Sequence, residues 1–219
     1  MKRTAVLFDM DGLMVDTEPL ARRAWEHVVA PHGAAMTDDL YERMLGRRTV
    51  ESAQLVLDEL RLPEQLETLV ARKTTAFLSS LGEGVPVMPG LWTLLDRIEV
   101  LGLPWAVATS TPRPVAEIIL DKLGLVGRYR ALACGDEVEH GKPAPDIFLL
   151  AAARLGAEPA ACLALEDSAA GCASAAAAGM RVVIVPTDLT RAESFACAYR
   201  RYTSLGGVAA DLEVLLDGS

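Results

Sequence analysis

The chain has 219 residues, of which 51% are hydrophobic and 23% charged, a composition that excludes wholesale disorder and leaves room for a core needing no disulfide or structural metal. Its net charge of −9 disfavours a nucleic-acid-binding surface. Its longest stretches without an acid, lysine or arginine, Val100–Pro112 and Ser168–Met180, are 13 residues each, short of the roughly 18 apolar residues that a membrane span requires.

Ala5–Phe8 is a short apolar run of the kind that forms a buried parallel strand. From about Thr17 to Leu81 the pattern turns helical. Arg22–Val29 is amphipathic through Trp25, Val28 and Val29, and Asp38–Leu45, Val50–Leu60 and Glu64–Leu81 follow, broken at Gly46 and Pro63. Leu91–Leu101 follows Pro89-Gly90 and predicts a helix with Trp92 in the core. From there strands and helices alternate. Trp105–Ala108, Ala131–Cys134, Cys162–Leu165 and Arg181–Val185 read as strands; Pro114–Leu123, Pro145–Leu155 and Ala169–Ala178 read as helices, stopped by Gly124, Gly156 and Gly179. Thr187–Leu205 predicts a helix and a loop, and Ala209–Leu216 a final helix.

The alternation predicts an α/β fold, a parallel sheet with helices on both faces. About 95 residues separate Phe8 from Trp105, far more than one crossover needs. The helical run is therefore expected to be an inserted domain, residues 18–82, with residues 1–17 and 83–219 forming the core domain. Gly82-Glu83-Gly84 and the segment before Glu18 are the expected hinges. Cys134, Cys162, Cys172 and Cys197 show no CxxC spacing and read as free thiols of a cytoplasmic protein.

Ligands of open parallel sheets bind beyond the carboxyl ends of the strands. There the sequence places Asp9 and Asp11 after the first strand, Thr109 and Ser110 after the second, and Glu166, Asp167 and Ser168 after the fourth. Gly141-Lys142-Pro143 precedes a core helix. Clustered carboxylates repel one another and call for a hard cation with oxygen ligands, such as Mg²⁺. One Asp can serve as nucleophile and another, two residues on, as general acid. Lys142 and hydroxyls at helix starts can hold phosphoryl oxygens.

Four segments carry a specific resemblance. Phe8-Asp9-Met10-Asp11-Gly12-Leu13 with Asp16-Thr17-Glu18-Pro19, then Val107-Ala108-Thr109-Ser110, then Gly141-Lys142-Pro143-Ala144-Pro145-Asp146-Ile147-Phe148, and then Leu165-Glu166-Asp167-Ser168-Ala169-Ala170-Gly171 stand in order. Together they resemble the motifs of the haloacid dehalogenase-like superfamily, in the β-phosphoglucomutase-like branch with a helical cap. The resemblance implies a Rossmann-like core. It makes Asp9 the nucleophile and a Mg²⁺ ligand, and Asp11 the general acid/base and a Mg²⁺ ligand through its carbonyl. Thr109 and the Ser110 N–H would bind the phosphoryl group and Lys142 would neutralise charge. Asp167 would bind Mg²⁺, with Glu166 a ligand or a partner of the ligands.

The same resemblance implies a phosphatase acting through an aspartyl-phosphate. Related mutases carry a His, an Arg and a Lys where this chain has Ala21, Thr49 and Pro112, which favours monoester hydrolysis over a sugar phosphomutase. Glu18, Arg47 and Arg48 are the substrate-binding candidates of the cap, and His140 is a further residue that can line the site. The expected partner is a small phosphorylated metabolite, with no nucleic acid and no membrane. The expected protein is a monomer or weak homodimer.

Overall fold

The computed structural model describes residues 2–82 and 84–217. In chain order the elements are β1 (Ala5–Phe8), α1 (Glu18–Val29), α2 (Asp38–Glu42), α3 (Thr49–Leu60), α4 (Leu66–Ser80), α5 (Leu91–Val100), β2 (Trp105–Thr109), α6 (Arg113–Lys122), β3 (Ala131–Cys134), α7 (Asp146–Leu155), β4 (Cys162–Glu166), α8 (Ala169–Ala177), β5 (Arg181–Ile184), β6 (Arg200–Arg201), α9 (Leu205–Ala210) and α10 (Leu212–Leu216). The six strands form one sheet in the order β3-β2-β1-β4-β5-β6, and every neighbouring pair is parallel. The fold is α/β and Rossmann-like, as the alternation predicts. β1 lies at the centre with Leu7 opposite both Ala106 and Ala164, so the chain leaves β1 to opposite sides of the sheet. That is where ligand clefts open in such folds.

Alternation along the strands gives the sheet two unlike faces. Val6, Phe8, Trp105, Val107, Leu163, Leu165 and Val183 point to one side, where Leu91, Leu94, Leu95, Ile98, Ile119 and Leu212 of the covering helices meet them. Ala5, Ala106, Ala108, Ala131, Ala133 and Ala164 point to the other, under Phe148, Ala151 and Ala152 of α7 and Cys172 and Ala175 of α8. A third apolar cluster lies within the insertion and joins Trp25, Val28, Leu40, Tyr41, Met44, Val56, Leu57 and Leu69. The starting turns of α1 (Leu20, Ala24) and the end of α4 (Phe77, Leu81) pack instead with the first face of the sheet. The inserted helices thus share an apolar cluster of their own and rest on the first face of the sheet. Of the expected hinge, Glu83 lies outside the described residues.

Three sequence expectations are corrected. Trp92 is 40% exposed, with the Arg128 guanidinium 6.0 Å from its ring. Leu91, Leu94, Leu95 and Ile98 fill the buried stripe of α5, and Trp92 falls one residue out of phase with it. Residues 187–199 contain no helix. The Thr190 hydroxyl accepts from the Thr187 N–H at 3.0 Å, a local turn that competes with helix formation, and the segment ends in the short strand β6. The final helix is two, α9 capped by Ser204 and α10 beginning after Asp211.

Beside the end of β3, Glu137 draws two helices together. Its carboxylate receives Arg113 at 2.8 and 3.1 Å, Arg154 at 2.8 and 3.0 Å, and the Cys134 N–H at 2.9 Å. The Arg154 hydrogen bonds, followed by Arg113 and Cys134, outweigh burial and hold its pKa at about 2, against 4.5 ordinarily. A depressed carboxylate stabilises the fold above its unfolded pKa, and the contribution drains away as pH falls through the folded value. Glu137→Gln is expected to lower stability at pH 7 by about 2 kcal/mol. Denaturant titration should show the deficit shrinking between pH 4.5 and pH 2.

Candidate active site

The carboxyl ends of β1, β2 and β4 and the loops behind β3 and β5 meet in one cleft roofed by the inserted helices. Lys142 is its electrostatic centre. The Lys142 Nζ donates to Asp9 Oδ1 and to Glu166 Oε1, each at 2.5 Å, with all three side chains buried. Burial works to deprotonate the ammonium, yet Asp9 and Glu166 together keep its pKa above the ordinary lysine value. Burial pushes the Asp9 carboxyl up to about 8 against the pull of Lys142, with Glu166 and Asp11 adding to the rise. Burial, followed by Glu166 and Asp9, also holds Asp167 well above the usual carboxylate range.

Glu166 is fully engaged. Besides Lys142, it accepts from the Asp167 N–H at 2.9 Å, the Ser168 N–H at 3.0 Å and the Ser168 hydroxyl at 3.1 Å. It anchors Lys142 and shapes the turn that presents Asp167. Two glycines make the close approaches possible. A Cβ on Gly171 would stand 1.7 Å from Glu166 Oε1, and one on Gly12, whose φ is +85°, would stand 2.4 Å from Asp167 Oδ2.

Asp11 is set by hydroxyls. Thr17 donates to one of its oxygens at 2.6 Å, and Thr109 and Thr111 donate to the other at 3.2 and 2.8 Å. Thr109 is completely buried and also accepts the Thr111 N–H at 3.1 Å. Its side chain thus orients Asp11 in this structure, while Ser110 and Thr111 line the cleft. Ser110 Oγ donates to the Gly46 carbonyl of the insertion at 3.0 Å.

The roof supplies Glu18, Tyr41, Arg47, Ser52 and Lys73. The Tyr41 hydroxyl donates to Glu18 Oε2 at 2.6 Å, and burial raises the Glu18 pKa against that bond. Lys73 Nζ lies 4.8 Å from the Phe77 ring and 5.6 Å from that of Trp25. Burial lowers its pKa against the fields of Asp11 and Glu18.

Lys73, Tyr41 and Ser52 were not singled out from sequence. Lys73 left a signal: it stands four residues from both Leu69 and Phe77, the two buried residues of α4, so it is a cation on an apolar stripe. Arg47 lines the cleft. Arg48 does not: its guanidinium bonds Glu51 and the carbonyls of Val138 and Glu139. His140 also stays outside, exposed and 3.2 Å from Asp146.

Asp9, Glu166 and Asp167 place a carboxylate oxygen each within 4.8 Å of one another. An all-oxygen, anionic donor set under a single ammonium fits a hard divalent cation, and of the three Glu166 is the most heavily hydrogen-bonded.

A family model described as haloacid dehalogenase-like hydrolase matches residues 4–179. Protein CbbY of Rhodobacter capsulatus is 35% identical over 221 residues, covering 95% of this chain and 96% of that protein. The fructose-1-phosphate phosphatase YqaB of Escherichia coli (strain K12) is 36% identical over 182 residues, covering 82% of this chain and 95% of that protein. A crystal structure of CbbY from Rhodobacter sphaeroides in complex with phosphate matches with a TM-score of 0.86 at 32% identity, over 95% of this chain and 96% of that one. Motifs, sheet order and relatives agree: the chain belongs to the haloacid dehalogenase-like hydrolase family, in its sugar-phosphatase branch.

Proposed function

We propose that this protein is a Mg²⁺-dependent phosphatase of small-metabolite phosphate monoesters, sugar phosphates foremost, acting through an aspartyl-phosphate on Asp9. The carrying observation is the Asp9–Lys142–Glu166 chain, which faces a cleft also lined by Asp11 and Asp167. A buried carboxylate held by a lysine beside a second, hydroxyl-oriented carboxylate is an arrangement for in-line phosphoryl transfer.

Asp9 forms an oxygen–phosphorus bond as the ester oxygen–phosphorus bond breaks. Asp11 gives its proton to the departing alkoxide and then takes one from the attacking water. That water displaces Asp9, leaving inorganic phosphate. Lys142 offsets the charge on Asp9 and on the phosphoryl oxygens. Mg²⁺ bound by Asp9 and Asp167, with the Asp11 carbonyl, would supply further positive charge there.

Residues 18–82 act as a cap domain whose closure excludes water. Glu18, Tyr41, Ser52 and Lys73 present donors and acceptors to the leaving group, which suits a polyhydroxylated one, and Arg47 adds a cation at the mouth. The name of the YqaB relative, a fructose-1-phosphate phosphatase, supports that substrate class. The buried free thiols Cys134, Cys162 and Cys172 suit the reducing cytoplasm.

Phosphate release from a panel of sugar phosphates and nucleotides tests the reading. Release is expected from a few hexose or pentose phosphates, with loss in EDTA and recovery on adding Mg²⁺. No release from any ester by folded protein in Mg²⁺ would overturn it, and a coupled glucose-6-phosphate assay would then test for a mutase.

A further inference from the structure

We propose that Arg48, oriented by Glu51, is a positioning residue that straps the closed cap to the loop carrying Lys142. The proposal rests on the phosphatase reading and assigns it a residue outside the cleft. The start of α3 sits directly over the loop between β3 and α7. There the Arg48 Nη1 donates to two successive carbonyls, of Val138 at 3.0 Å and Glu139 at 3.1 Å. The rest of the guanidinium is held by the cap itself, with Nε 2.7 Å and Nη2 2.5 Å from Glu51 Oε1. Glu51 Oε2 also accepts the Arg48 backbone N–H at 3.2 Å. The fork is thus aimed before it meets the core, and a planar guanidinium so held loses little freedom on making its bonds.

The contact is close on the core side as well. A Cβ on Gly141 would lie 2.8 Å from both Arg48 Nε and Glu51 Oε1, and Gly141 immediately precedes Lys142. The same cap turn reaches the two neighbouring loops. The Gly46 carbonyl accepts from Ser110 Oγ at 3.0 Å, and a Cβ on Gly46 would lie 3.0 Å from Ser168 Oγ. Residues 46–48 therefore touch the loops after β2, β3 and β4. Each of those loops carries a site residue, and Arg48 is the strong tie to the one that carries the lysine. With the strap made, the cap closes and the 138–142 loop is fixed in one event. Without it, the ammonium would still bond Asp9 and Glu166, but the backbone carrying it would be held from the core side alone, and small misplacements of such groups are costly to rate.

The test uses the full chain with Arg48→Ala, Arg48→Lys and Glu51→Gln, read by hydrogen exchange and by steady-state kinetics on the best ester of the panel. Arg48→Ala is expected to speed amide exchange in residues 138–142 about tenfold while β1 and β4 keep the parent's protection. Its kcat should fall about 10- to 100-fold, with KM moving less than about threefold. Lysine reaches a carbonyl but cannot also hold Glu51 in a fork, so Arg48→Lys should fall between Ala and parent. Glu51→Gln leaves the guanidinium in place and should shift both readouts in the same direction by less, which keeps the proposal testable should Arg48→Ala fold poorly.

Unchanged exchange in residues 138–142 overturns the proposal, and so does faster exchange there with the parent's kcat. Uniformly faster exchange over the whole chain would make Arg48 a general stabiliser and overturn it as well. Should the parent hydrolyse no ester, the phosphatase reading fails, and the exchange data alone decide the strap.

Discussion

Asp9→Asn should reduce turnover by at least about 10⁴-fold, the scale on which removing a nucleophile acts, and leave the protein folded. The carboxamide keeps the shape of the side chain but offers no anionic oxygen to phosphorus. The fold should tolerate it because burial already holds the Asp9 carboxyl up to about 8. The exchange removes a group whose charged form burial already disfavours, and Lys142 keeps its second partner, Glu166 at 2.5 Å. We expect unfolding free energy within about 1.5 kcal/mol of the parent, or above it. Single-turnover assays with labelled ester, beside a denaturant titration, read both quantities. Turnover above about a hundredth of the parent rate would remove Asp9 from the nucleophile's position.

Lys142→Met should damage activity and stability together. Three buried carboxylates, Asp9, Glu166 and Asp167, surround a single bonded ammonium, which also lies 5.1 Å from the Phe148 ring. Taking away one member of a buried ionic group strands its partners, at a cost of about 3–5 kcal/mol. Loss of the charge facing the phosphoryl group should lower kcat by about 10³-fold. Mg²⁺ should recover more stability in the variant than in the parent, since it is then the only cation available to the acids. Thermal melts with and without Mg²⁺ check this. A variant as stable as the parent in EDTA would show that Lys142 matters to catalysis alone.

Much of the lower half of the candidate site was legible in the sequence because it is local. Asp9, Asp11 and Asp167 stand within a few residues of the end of an apolar strand and Lys142 shortly before a core helix, so element boundaries locate them without knowledge of the packing. The roof was not legible in the same way. Whether Lys73 or Arg48 enters the cleft depends on the angle at which α1 to α4 dock, and no periodicity encodes that angle. Arg47 and Arg48 are adjacent and alike, yet one lines the cleft and the other ties cap to core. Trp92 shows a different limit. A large aromatic beside the buried stripe of α5 reads as core, but its one-residue offset in helical phase decides the matter and leaves it exposed. Between Thr187 and Leu205 the backbone is shaped by a hydroxyl-bonded turn and a two-residue strand, and neither leaves a repeating pattern.

The two faces of the sheet imply unequal freedom to vary. On the face of leucines, valines and aromatics, a change of one branched side chain for another can be absorbed by large neighbours that shift together. On the other face, Ala106, Ala108, Ala133 and Ala164 let α7 and α8 lie close over the strands, and an alanine has no longer side chain that can turn aside. An added methyl acts as a shim under α7 or α8. The Lys142 loop runs into α7, and its Ala144 carbonyl is pinned by Ser174 Oγ of α8 at 2.6 Å, while the Asp167 turn leads directly into α8. Drift in this lineage should therefore accumulate on the bulky side, and the alanine side should be kept nearly fixed by the demands of a cleft that none of its residues touches.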